Sequence, residues 1–259
     1  MVIIIGKRFL KIAISIIQKR LLHLPTVAQK KLKRFSEIKA FHNVLEYPEN
    51  VKGKWDEFFK NNNPVVLELA CGKGEYTTGL AQLHPDKNFI GVDIKGNRIW
   101  VGAKFSLENQ LTNAAFLRTQ IDKIDQYFSE NEVSEIWITF PDPQLRLSKA
   151  KKRLTHPRFL RLYHKILKPD GKIHLKTDSP HLYHFTKSVI RLYQLPLIAD
   201  IDNVNHQTNL NKELKIKTHY EGLDIAGSNC IFYLCFTLPD IIINNDKQLN
   251  DMLEEERTV

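Results

Sequence analysis

Residues 64–77, Pro64-Val65-Val66-Leu67-Glu68-Leu69-Ala70-Cys71-Gly72-Lys73-Gly74-Glu75-Tyr76-Thr77, pass from an apolar run through two closely spaced glycines into a helix-compatible stretch. A short, continuous apolar run reads as a strand buried on both faces, and strand, glycine turn, helix is the order of a nucleotide-binding α/β unit. Gly72 and Gly74 allow backbone dihedrals closed to other residues and let the chain come close to a ligand. The next apolar run, Asn88 to Val92, ends on Asp93, 21 residues after Gly72. Such units place there the carboxylate that accepts hydrogen bonds from ribose hydroxyls. Glu68, Gly72, Gly74 and Asp93 are therefore candidate cofactor ligands.

The third glycine of a dinucleotide fingerprint is missing, and Glu75 and Tyr76 follow Gly74 instead. Acidic residues around the loop repel phosphates and suit a cationic sulfonium or a zwitterionic amino-acid tail. The reading is S-adenosylmethionine rather than NAD.

Strands and helices alternate beyond this unit. Further strands are read near Ala114 to Thr119, at Ile136 to Phe140 and at Lys172 to Lys176, with helices at about Tyr76 to Leu83, Asn97 to Asn109, Pro157 to Leu167 and His181 to Tyr193. Leu197 to Ile201 and Cys230 to Phe236 are strand-like with no helix between them and are expected to pair antiparallel. The pattern predicts an α/β fold, a Rossmann-like doubly wound sheet of seven strands with the last antiparallel. Ligands of such sheets bind beyond the carboxyl ends of the strands, so the exit residues Glu68, Asp93, Gln120, Asp142 and Asp178 should line one crevice.

Lys+Arg number 38 against 29 Asp+Glu, a net charge of +9 and a pI near 9.3, which points to a polyanionic partner. Residues 1–34 hold nine Lys/Arg and no acid, whereas 239–259 hold six acids and two bases, leaving +13 on residues 1–238. Residues 1–28 read as a basic amphipathic leader, or as an extension from an upstream start; their apolar runs are too short to span a bilayer, so no stable membrane insertion is expected. The main domain is assigned to 29–238, and 239–259 to an acidic, mobile tail. Cys71, Cys230 and Cys235 have neither disulfide nor metal-ligand spacing, and the histidines make no metal pattern. A reducing, cytoplasmic location without a metal follows.

Taken together, Glu68-x-x-x-Gly72-x-Gly74, Asp93, Phe140-Pro141-Asp142-Pro143 with Arg146 and Lys151-Lys152-Arg153, Lys176-Thr177-Asp178 and Thr218-His219-Tyr220-Glu221 resemble the bacterial tRNA (guanine-N7)-methyltransferase family. The resemblance runs from about Gln29 to Phe236 and implies a class I methyltransferase fold. It further implies methyl transfer from S-adenosylmethionine to N7 of a tRNA guanine, the variable-loop guanine at position 46. On that resemblance Glu68, Asp93 and Gln120 contact the cofactor, Asp142 lies between cofactor and base as the catalytic residue, and Arg146, Asp178, Thr218 and Glu221 contact the base. Lys149, Lys151, Lys152 and Arg153 would hold the RNA backbone. Three positions depart from the family: Gln144 stands where Trp is usual, Arg146 where Lys is, and Gln120 where an Asp commonly accepts from the adenine amino group.

The chemistry stands apart from the resemblance. Guanine N7 has a free lone pair, so methylation needs positioning rather than a general base. Positive charge then passes to the purine, and a carboxylate on its N–H edge binds that state more tightly. Competing readings are a methyltransferase for another RNA or a small molecule, and a non-catalytic RNA-binding protein on the same fold. The sequence leaves monomer and homodimer open.

Overall fold

The computed structural model describes residues 27–219, 221–223 and 227–258. The expected leader or extension, apart from its last residues, lies outside them, as does Tyr220. Among the described residues eight strands form one sheet: β1 Val44–Glu46, β2 Val65–Leu69, β3 Asn88–Asp93, β4 Ala114–Arg118, β5 Val133–Thr139, β6 Leu167–Thr177, β7 Leu197–Ile201 and β8 Phe232–Thr237. Their order is β1-β4-β3-β2-β5-β6-β8-β7. The strands from β1 to β6 pair in parallel, and β8 runs antiparallel to both β6 and β7. The last strand is thus the reversed one, as expected.

One strand more than the expected seven is present. β1 is only three residues long, each half-buried, and extends the sheet beyond β4; so short a piece shows no periodicity in a sequence. Another departure lies at residues 165–167, expected to continue a helix. Leu167 instead pairs with Val133 at the start of β6, ahead of Pro169, which disfavours helix in the residue before it.

β2 and β3 are buried at every position, which is why they read as apolar runs broken only by Glu68 and bounded by Asn88 and Asp93, rather than as alternating patterns. Helices α3 (Glu75–Leu83), α4 (Gly96–Glu108), α5 (Pro157–His164) and α6 (Pro180–Leu192) cover the sheet's faces; α1 (Val27–Ile38) and α2 (Trp55–Phe59) precede β1 and β2. Ile38 of α1 packs with Ile99 and Ala103 of α4, and the Trp100 indole donates to Glu37 at 2.8 Å. Tyr76, Leu80, Trp137 and Tyr233 share one apolar layer, whereas Trp55, Leu67, Ile90, Ile138 and Leu234 belong to the other.

The acidic segment expected as a mobile tail closes as helix α7, Asp246–Thr258, against the domain. Leu249 and Leu253 are buried, Arg161 holds both Asp246 oxygens at 3.0 and 2.6 Å, and the Asn245 amide donates to the carbonyl of Leu192. Two leucines one helical turn apart supply the apolar stripe that docks it.

Among the described residues no helix is long and apolar enough to cross a membrane, and no group of His, Cys, Asp or Glu is arranged to hold a metal ion.

Candidate active site

The order in which strands are added reverses at β2, from which the chain builds outward through β3 and β4 on one side and β5 and β6 on the other. Beyond the carboxyl ends of these strands lies a cavity of about 640 Å³, within the range of small-molecule sites. The exit of β2 contributes Glu68, Cys71 and Gly72, β3 and the start of α4 contribute Asp93, Lys95 and Arg98, and β5 contributes Thr139 through Pro143 with Leu145. The exit of β6 supplies Asp178 and the Ser179 cap of α6, and Thr218 and Glu75 complete the wall. Four of the five expected exit residues are therefore gathered at one opening.

Asp93 is held where it is needed. Its Oδ2 accepts from the Gly72 amide at 3.0 Å and its Oδ1 from the Lys95 amide at 2.8 Å, tying the β2 and β3 loops together with a carboxylate that keeps further lone pairs for a ligand. Gly72 has a φ of 56°, a left-handed turn that glycine makes without strain.

Glu68 differs from expectation. Its Oε2 accepts from the Thr77 amide at 2.7 Å and from the Thr77 hydroxyl, and its Oε1 from the Thr139 hydroxyl at 2.6 Å. Burial pushes its carboxyl up to about 7, against the pull of these donors. Glu68 lines the cavity but mainly braces the ends of β2, β5 and α3. The carboxylate standing at the start of α3 is Glu75, whose Oε2 accepts from the His219 amide at 2.9 Å.

Gly74 does not line the cavity. It precedes α3 at a φ of 71°, and a Cβ there would lie 2.4 Å from the Phe116 ring, so it is a packing glycine. Gln120 is exposed beyond β4 and also stands outside the cavity wall.

On the substrate side, Asp142 is exposed on the rim, with Oδ1 accepting from the Gln144 amide at 3.0 Å. Glu221 is turned inward to Lys176, and Arg146 faces a separate groove shared with Asn250, Leu253 and Glu254 of α7. Lys149, Lys151 and Lys152 are exposed, as phosphate contacts require, but Arg153 is only 3% exposed. Its guanidinium lies 4.4 Å above the Phe185 ring and binds the carbonyl of Gln144, so the expected role for Arg153 on the RNA backbone is corrected. Lys95, Arg98, Thr139 and Leu145 were not anticipated; only the position of Lys95 and Arg98 just past Asp93 could have singled them out.

The donor set fits S-adenosylmethionine: a carboxylate fixed at the end of β3, a backbone-lined glycine turn, and the acidic Glu75 on the cavity wall.

Residues 62–231 match the model of the family described as "Putative methyltransferase". The chain is 48% identical over 222 residues to a tRNA (guanine-N(7)-)-methyltransferase of Bacteroides thetaiotaomicron, with 82% of this chain and 87% of the relative covered. A protein of the same name from Christiangramia forsetii is 47% identical over 221 residues, with 82% and 99% covered. Among solved structures, the fold is similar to that of the 16S rRNA methyltransferase KamB, with a TM-score of 0.57 at 14% identity, over 74% of this chain and 96% of that one.

Proposed function

The chain belongs to the tRNA (guanine-N7)-methyltransferase family and is an enzyme of that type, and we propose that its cavity at the β2 switch point holds S-adenosylmethionine beside a guanine of the tRNA variable loop. Bound S-adenosylmethionine supplies an electrophilic sulfonium methyl group. Asp93, fixed by two backbone amides, binds the ribose hydroxyls, Glu75 favours the cationic portion electrostatically, and Glu68 braces the loop beneath it. Asp142, on the rim of the same cavity, accepts from the N–H edge of the base and strengthens that bond as positive charge reaches the purine. Asp178 and Thr218 complete the base pocket, while Lys149, Lys151 and Lys152 hold phosphates outside it. No residue is needed as a general base, because N7 carries no proton. A tRNA substrate implies a cytoplasmic location.

The observation that carries this reading is the convergence on one cavity of the amide-bound Asp93 and the rim residue Asp142, with the basic segment starting four residues beyond the latter. The test is incubation with tRNA and methyl-labelled S-adenosylmethionine, followed by ribonuclease digestion and mass spectrometry of the oligonucleotide fragments and of their nucleosides. Labelled 7-methylguanosine from the variable loop is expected. Label in another nucleoside, or none, overturns the proposal.

A further inference from the structure

The loop joining β5 to the turn Leu147–Lys152 contains two residues that bear side chains in the left-handed region, Phe140 at a φ of 45° and Gln144 at 49°. Residues other than glycine and asparagine seldom adopt that conformation unless their surroundings impose it. Phe140 is imposed on by the sheet, since its amide donates to the Lys176 carbonyl at 2.8 Å. Gln144 is gripped from two sides. Its amide donates to Asp142, and its carbonyl accepts from Arg153 Nε at 3.4 Å and Nη2 at 3.3 Å.

Arg153 can do this because it is anchored in the protein. It follows the 3-10 turn, with its own amide bonded to the Ala150 carbonyl at 3.0 Å, and begins the buried run Arg153 to Pro157. The flat face of its guanidinium rests on Phe185 of α6, itself 4% exposed, a stack that lysine cannot reproduce. Two N–H groups of one rigid fork then converge on a single carbonyl.

Asp142 and Leu145 flank Gln144, and both line the cavity. Leu145 is 61% exposed, an apolar side chain held at the rim where the face of a purine would pass. From this geometry we infer that Arg153 is a positioning residue, which locks Gln144 and thereby aims Asp142 and Leu145 at the target base. The inference rests on the reading of Asp142 given above. It separates Arg153 from the neighbouring lysines, whose exposure suits phosphates.

The two roles differ in what salt does. A lost phosphate contact lowers the slope of log affinity against log salt by about 1 and leaves the rate at saturation alone. A lost positioning contact does the reverse. Arg153→Met, Arg153→Lys and Lys151→Ala are compared by thermal melting, tRNA affinity across a salt series and single-turnover methylation at saturating enzyme. Both Arg153 variants should retain the wild-type salt slope and methylate at least tenfold more slowly. Lys151→Ala, which removes a phosphate contact, should show the reduced slope together with weakened tRNA affinity. Arg153→Lys keeps charge and most of the packing, and decides the matter if Arg153→Met does not fold. A wild-type rate in Arg153→Lys, or a reduced slope with a normal rate in Arg153→Met, overturns the inference. Failure of the wild-type protein to form 7-methylguanosine would instead remove the reading of the site on which it rests.

Discussion

The ammonium of Lys176 lies 2.9 Å from Oε2 of Glu221, and Lys176 has no exposed surface at all. The same ammonium donates to the carbonyls of Leu214 and Ile216 at 3.0 and 2.9 Å. One buried charge therefore fastens the segment that carries Thr218 to the end of β6. Tyr76 adds a second fastening through its hydroxyl to the Glu213 carbonyl.

Removing one partner of a buried ion pair leaves the other charge uncompensated, at about 3–5 kcal/mol. Lys176→Met is expected to lose stability of that order in urea melts, and the double variant Lys176→Met/Glu221→Gln to recover much of it, because the orphan charge is gone. Equal losses in single and double variants would mean that the three acceptors of Lys176 matter only as packing.

Glu68 gives a pH dependence with a definite sign. Its carboxyl sits at about 7 in the folded protein against an ordinary value of 4.5, so between these values the folded state binds more protons than the unfolded one. The stabilisation is complete below 4.5 and is lost as pH rises through 7. Glu68→Gln is neutral throughout and should gain on the wild type by about 2–3 kcal/mol between pH 5 and pH 8. His156, held down to about 4 by burial, acts in the opposite sense and cancels in the comparison. A stability difference that is flat with pH counts against the raised value.

Asp93→Ala removes the ribose acceptor together with the link between the Gly72 and Lys95 amides. Calorimetry with S-adenosylmethionine should register a loss of at least about 1.5–3 kcal/mol, the scale of a hydrogen bond to a charged group. Unchanged affinity would remove Asp93 from the cofactor site.

The parallel sheet and its exits were legible because buried strands are written as nearly continuous apolar runs, and because Val65 to Gly74 and Asp93 keep the spacing of a nucleotide unit. β1 was not legible, since three residues carry no pattern. Helix α7 was hidden by its charge: Leu249 and Leu253 are one turn apart, but six acids in residues 239–259 read as solvated chain.

Within the site, residue type outran orientation. Glu68 lines the cavity and Glu221 follows Thr218 by three residues, yet their carboxylates are taken by Thr77, Thr139 and Lys176, partners that only tertiary packing brings together. Arg153 looked like one more member of a basic run, and nothing in Lys151-Lys152-Arg153 reveals that the third side chain turns inward onto Phe185.

Asp142 is proposed to act on the reacting base through its charge. Asp142→Asn retains the side-chain oxygen that accepts from the Gln144 amide, so the loop keeps its cap while the charge is removed. The decisive measurement is the single-turnover rate of 7-methylguanosine formation by this variant at saturating S-adenosylmethionine and tRNA. A rate reduced at least tenfold, about 1.4 kcal/mol of lost transition-state binding, is predicted, with smaller changes in either affinity. A rate equal to that of the wild type would exclude a role for the Asp142 charge and leave it as a loop cap.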